Sequence, residues 1–249
     1  MTNVLSRIKQ IQQPRGGLIN PKELETIKFE DDLVLFPECI SPMSMGLMID
    51  YLTRWQLSGD KEEAFSISIS GGRRVNREVE CYELLDNITG LDDNSLLNAY
   101  KLTSFDSYAR SNHVPTIDYN NYSLDGPTCD NIRIMVGRSL NFLDNYGPVR
   151  AFGFDFEGGY SNVIDSGDGD FLTEDTLWDF KVSIKPPTKD HTLQVMTYYV
   201  MGLHSYSSRF DNIHKIGIFN PRLNTAYILD VDQVSQEIIE FIENEVICY

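Results

Sequence analysis

Two carboxylates, an amine, an amide and a phenol crowd one stretch of this 249-residue chain: Asp170, Asp179, Lys181, Gln194 and Tyr198. Residues 176–184 alternate, with Leu177, Asp179, Lys181 and Ser183 on one side and Trp178, Phe180, Val182 and Ile184 on the other. That is the period of a β-strand. Side chains two apart on a strand point the same way, so Asp179 and Lys181 emerge together while Trp178 and Phe180 anchor the opposite face in a core. Residues 162–172 read as a second strand, with Thr173-Glu174-Asp175 as the turn between the two. Antiparallel pairing across that turn brings Asp170 beside Asp179. Two adjacent carboxylates repel unless a cation sits between them. Oxygen ligands in this number suit Mg²⁺ or Mn²⁺, hard ions that keep waters and reach for phosphate oxygens. Gln194 and Tyr198, four residues apart, share one face of the helix that follows.

The elements around these residues are legible from pattern. Phe152, Phe154 and Phe156 alternate with Gly153, Asp155 and Glu157, a strand over 150–157 that Gly158-Gly159 turns back. Before it, Thr128 is expected to cap a helix reaching about Asn145, stopped by Gly147-Pro148. After the two site strands come a helix over 188–205, strands over 213–219 and 226–231, and a closing amphipathic helix over 233–246. Upstream the chain is helical. Ser41-Pro42 opens a helix whose stripe Met45, Met48, Ile49 and Leu52 belongs to a core, and Gly59 closes it. A piece beginning near Lys61 is expected to break at Gly71-Gly72, a helical pattern over 75–111 is interrupted at Thr89-Gly90, and 113–127 reads as loop. The division that follows is a polar tail over 1–30, a helical region over 31–127 and an α/β core over 128–249.

The three pieces Gly167-Asp168-Gly169-Asp170, Asp179-Phe180-Lys181 and Gln194-Val195-Met196-Thr197-Tyr198 match, in order and spacing, Gly-x-x-Asp, Asp-x-Lys and Gln-x-x-x-Tyr. They resemble the PD-(D/E)XK nuclease superfamily, RecB-type branch, over roughly the C-terminal half of the chain. The resemblance implies an α/β fold with a restriction-endonuclease-like αβββαβ core below a mostly helical N-terminal half. It also implies Mg²⁺- or Mn²⁺-dependent hydrolysis of phosphodiester bonds in DNA, in a phage, mobile-element or defence setting. By resemblance, Asp170, Asp179 and the backbone carbonyl of Phe180 are metal ligands, and Lys181 holds the attacking water and offsets charge on the phosphorane. Gln194 and Tyr198 position the motif and contact nucleic acid. The plain alternative makes the carboxylates surface groups, Lys181 a solvated salt bridge and the helix face merely polar. Asp168 is assigned to turn or solvent, and Asp165 is a weak candidate. The helix before the first strand often adds a Glu or His in this superfamily; here it offers only Asp130 and Asp144, with Asp155 or Glu157 as substitutes. His191 reads as a satisfied helix residue, and His113, His204 and His214 have no ligand spacing. Some RecB-type relatives clamp an iron–sulfur cluster. Cys39, Cys81, Cys129 and Cys248 lack the downstream trio that requires, so reduced thiols are expected.

The charge balance complicates a nuclease reading. The chain carries 21 basic and 37 acidic residues, a net charge of −16, whereas phosphate contacts are normally made by Lys and Arg. Basic residues gather in Gly71-Gly72-Arg73-Arg74-Val75-Asn76-Arg77 and at Lys181, Lys185 and Lys189. Two other resolutions are a protein partner supplying the basic surface, and a non-catalytic module of the same fold whose acidity contacts partners or mimics DNA. No apolar run reaches membrane-spanning length and the first 20 residues hold no apolar segment, so a cytoplasmic protein without membrane contact is expected. A Walker-type loop, Gly-x-Ser-x-Gly, a dinucleotide fingerprint and zinc spacing are all missing from the sequence.

Overall fold

The computed structural model describes residues 2–110 and 118–249. The strands are Thr2–Asn3 (β1), Glu25–Lys28 (β2), Ala151–Phe154 (β3), Ile164–Ser166 (β4), Gly169–Leu172 (β5), Thr176–Phe180 (β6), Lys215–Asn220 (β7) and Thr225–Asp230 (β8). The helices are Val4–Ile8 (α1), Pro42–Ser58 (α2), Lys61–Ala64 (α3), Ser66–Arg74 (α4), Glu78–Asp86 (α5), Asp93–Thr103 (α6), Asp106–Arg110 (α7), Gly126–Tyr146 (α8), Lys189–Leu203 (α9) and Gln236–Phe241 (α10), the last continuing as a π-helix over Ile242–Ile247. The chain divides into two compact units, Met1–Glu30 with Phe142–Tyr249, and Asp31–Asn141. Among the described residues no helix is long and apolar enough to cross a membrane.

The first unit is built on a six-stranded mixed sheet in the order β2-β8-β7-β6-β5-β3. All neighbours are antiparallel except β6 and β7, which run parallel with Asp179 opposite Ile218. A parallel step needs a crossover, and α9 supplies it. Every residue of β6 is buried, because this central strand is covered on both faces. Leu177 joins Leu193, Met196, Val200, Ile216 and Ile218 in one apolar cluster. On the other face Trp178 meets the rings of Phe142 at 4.7 Å and Tyr146 at 5.2 Å, and Phe142 stacks on Phe219 at 4.0 Å. The face carrying Asp179 is therefore interior, not the exposed patch that alternation alone suggests.

Three expectations are corrected here. Residues 1–30 are not a tail: Val4 and Ile8, four apart on α1, are buried with Ile19 and Leu24 in the cluster under α9, and β2 forms the sheet edge beside β8. The Thr192 hydroxyl donates to the Ile19 carbonyl at 2.7 Å, a tie between residues far apart in sequence and invisible in composition. The strand over 162–172 is two strands, since β4 leaves the main sheet to run parallel with β1. Helix α8 starts three residues early because Asp125, not Thr128, is its cap: the Asp125 carboxylate accepts the Thr128 N–H at 2.9 Å with Pro127 inside the first turn.

The second unit is helical, as expected. Ser41 caps α2 with Pro42 at its start, and Gly59 ends it at a φ of 73°. Gly71 and Gly72 do not break a helix but lie inside α4. A Cβ on Gly71 would stand 2.0 Å from the Phe105 carbonyl oxygen, so the glycine permits the close crossing of α4 on the chain entering α7. Buried Asp106 accepts from the hydroxyls of Tyr51, at 2.6 Å, and Ser68. The loop expected over 113–127 lies outside the described residues up to 117, and Tyr119–Asn121 forms a 3₁₀ turn.

Candidate functional site

In the β5–β6 hairpin Phe171 faces Trp178 and Leu172 faces Leu177; one further step of the same register sets Asp170 against Asp179. Asp170 Oδ2 accepts the Phe180 N–H at 2.8 Å, so the carboxylate of one strand is tied to the backbone adjoining the other. Lys181 Nζ lies 2.9 Å from Asp179 Oδ1 and 2.8 Å from Oδ2. Gln194, reaching from α9, donates through Nε2 to Asp179 Oδ1 at 3.0 Å and to the Tyr198 hydroxyl at 3.3 Å. Asp179 is 2% exposed, Gln194 4% and Tyr198 3%. A buried carboxylate is tolerated only when paired and hydrogen-bonded, and here an ammonium and an amide satisfy it. Burial, and next the charge on Asp179, raises the Tyr198 phenol far above its ordinary range, so it stays a neutral hydroxyl.

The structure thus brings Asp170, Asp179, Lys181, Gln194 and Tyr198 together. Gln194 and Tyr198 belong to the interior of the site rather than to an outer face. Phe180 sits with its ring 4.4 Å from Phe171 and 5.3 Å from Phe219. Asp168 is exposed just ahead of β5, Asp165 lies exposed on β4, and Asp144, Asp155 and Glu157 are exposed. Asp130 bonds Arg133 at 2.8 Å.

Gln194 Oε1 is buried with no hydrogen-bond partner among the described residues, while the same amide donates to Asp179. A buried, unsatisfied acceptor is costly and is matched by water or by a cation. Asp170, Asp179 and this oxygen are hard donors, the chemistry that fits Mg²⁺ or Mn²⁺ and not a thiophilic metal. Among the described residues no group of three or more His, Cys, Asp and Glu side chains forms a metal cage. An ion held here therefore keeps several waters, as Mg²⁺ does. If the chain acts through a metal held here, Gln194→Ala is expected to lower that activity by about 10- to 100-fold, the usual cost of losing a group that orients a ligand. DNA affinity measured without metal should stay near that of the unaltered protein; a large loss of affinity would instead make Gln194 a nucleic-acid contact.

His191 plays a structural part. Its Nδ1 accepts the Thr188 N–H at 3.2 Å, closing the first turn of α9. Burial first, then the charge of Lys181, lowers its pKa from 6.5 to about 4. Because the folded ring resists protonation, the unfolded chain takes up the proton first, and stability falls as pH drops from 6.5 towards about 4. His191→Gln keeps an acceptor at the same capping position. It should remove about 1–2 kcal/mol of the stability lost between pH 7 and pH 5, checked by urea unfolding of both proteins at the two pH values.

The basic run at 71–77 is not a bare phosphate-binding patch. Arg73 pairs with Glu78 at 2.5 Å and Arg77 with Glu80 at 2.5 Å, and Arg74 donates to the carbonyls of Tyr108 and Ala109. Sequence reasoning missed Asn220, 1% exposed at the end of β7. Asn-Pro at 220–221 reads only as a turn, while its amide brackets the chain just past Lys181: Nδ2 donates to the Ser183 carbonyl at 2.7 Å and Oδ1 accepts the Ser183 N–H at 3.4 Å. No protein-family model, curated protein or solved structure matches this chain.

Proposed function

We propose that this chain is a metal-dependent nuclease of the PD-(D/E)XK kind, hydrolysing DNA phosphodiester bonds with Mg²⁺ or Mn²⁺. The observation that carries the reading is Asp179, buried at the centre of a sheet, held by Lys181 and Gln194 and set against Asp170. The order of elements supports it. Helix α8, strands β3, β5 and β6, helix α9 and strand β7 follow one another as αβββαβ, an antiparallel meander whose last strand gains a parallel neighbour through α9. Strand β4 departs from that scheme by pairing with β1.

Asp170, Asp179, Gln194 Oε1 and, by resemblance, the Phe180 carbonyl are the groups that would hold the ion. Bound there, it supplies Lewis acidity towards a phosphoryl oxygen and acidifies a water. The chain's own groups do the rest. Gln194 keeps Asp179 from rotating, and the Asp170 bond to the Phe180 N–H fixes the second carboxylate. Lys181, partly exposed beside Asp179, is placed to donate to water or to a phosphate oxygen as negative charge builds.

The net charge of −16 favours a second reading, in which the same fold is a binding module or a subunit that needs a basic partner. Incubating the pure protein with linear and closed-circular DNA in Mn²⁺ separates the two. The nuclease reading expects metal-dependent loss of linear DNA, and nicking of circles if attack is internal. Intact DNA of both forms, with and without metal, would leave only the second reading.

A further inference from the structure

The difficulty an acidic nuclease faces is grip, and the segment joining β6 to α9 bears on it. Immediately after Lys181 the chain runs Val182-Ser183-Ile184-Lys185-Pro186-Pro187 with no helix or strand of its own, yet it is firmly held. The buried Asn220 side chain brackets Ser183 on both backbone groups, and the Lys185 N–H bonds the Ser183 hydroxyl at 3.1 Å. Asn220 Oδ1 also accepts the N–H groups of Arg222, at 3.0 Å, and Leu223. A single buried amide therefore fixes two neighbouring segments, one of which presents Ile184 and Lys185.

The rim presents one apolar and one cationic side chain side by side. Ile184 is 75% exposed and Lys185 is exposed, three and four residues beyond Lys181. A single exposed isoleucine means nothing by itself. An isoleucine displayed beside Lys185 on a clamped backbone, at the edge of a site read as cutting phosphodiesters, has the chemistry of a wedge next to a phosphate contact.

We propose that this Asn220-clamped rim grips the substrate strand, with Lys185 on a backbone phosphate and Ile184 packed against a sugar or base face beside the scissile position. The proposal rests on the nuclease reading and assigns that activity its docking surface: a short, rigid cationic edge on the sheet, in place of the paired arginines at 73–77.

The test uses the full chain and a fluorescein-labelled 20-base-pair DNA in EDTA, followed by anisotropy across a salt series, with Mn²⁺-dependent cleavage measured in parallel. Lys185→Ala should reduce the slope of log affinity against log salt by about 0.9, the value for one phosphate contact. Ile184→Ala should weaken binding about fivefold with little change in slope, as expected for lost apolar contact. Both side chains point into solvent, so neither change threatens the fold. If the unaltered protein cuts DNA and both variants bind with unaltered affinity and slope, the rim is not the grip and the nuclease reading stands. If the unaltered protein neither binds nor cuts, both fall together.

Discussion

Replacing Asp179 with Asn is expected to reduce Mn²⁺-dependent DNA cleavage by about 10³-fold while the protein stays folded. The substitution preserves shape. The new amide oxygen still accepts from Gln194 Nε2, which now lies 3.0 Å from Asp179 Oδ1. Its nitrogen meets Lys181 donor to donor, but that lysine is partly exposed and swings its head into water. The stability cost should stay near 1–2 kcal/mol. Lys181→Met separates charge from ligation. It leaves the Asp179 carboxylate buried with a single amide donor, which costs more stability, and it removes the donor for the developing phosphorane while sparing the metal ligands. Calorimetric titration with Mn²⁺ should therefore show binding lost in Asp179→Asn and retained in Lys181→Met, with cleavage lost in both. Cleavage at undiminished rate in either variant would sink the assignment of roles.

How much of this was legible in the sequence depends on which force set each feature. The strand at 176–180 and its hairpin to Asp170 could be read because alternation and a polar turn are local signals. The spacing of Gln194 and Tyr198 was equally local. The burial of Asp179 was not legible: an Asp-x-Lys pair on a half-polar strand looks like a surface salt bridge, and only the packing of α9 across that face makes it interior. Nor could the first 30 residues be placed. Val4, Leu5, Ile8 and Ile11 fall at helical spacing, but α1 is only five residues long, too short to hold a helix by itself, and it is ordered by what it covers. Asn220 is the plainest miss. A turn residue and a clamp have the same letter, and the difference lies in the parallel pairing of Phe180 with Phe219, which brings residue 220 level with the chain leaving the site. The arginine run is disarmed separately: Arg73 and Arg77 pair with Glu78 and Glu80 close by in sequence, and Arg74 donates to the carbonyls of Tyr108 and Ala109.

That β6 is positioned from both sides yields the second large effect: Gly217→Val should destabilise the first unit by at least about 3 kcal/mol, the upper range for overpacking a core. Gly217 lies opposite Trp178 in the parallel pair. A Cβ there would stand 2.3 Å from the indole ring, far inside contact distance. The indole has nowhere to go, being fully buried, packed edge-on to Phe142 and Tyr146 and bonded through Nε1 to the Thr173 hydroxyl at 3.0 Å. The strain must instead move β6 itself, and β6 carries Asp179 one residue after Trp178. Urea unfolding should show the lost stability, and the fraction that remains folded should cleave more slowly than the unaltered protein at the same folded concentration. A Gly217→Val protein of unchanged stability would mean that the indole and β7 are not in the contact that fixes the strand. The position of Asp179 would then need another explanation, since its register rests on that pairing.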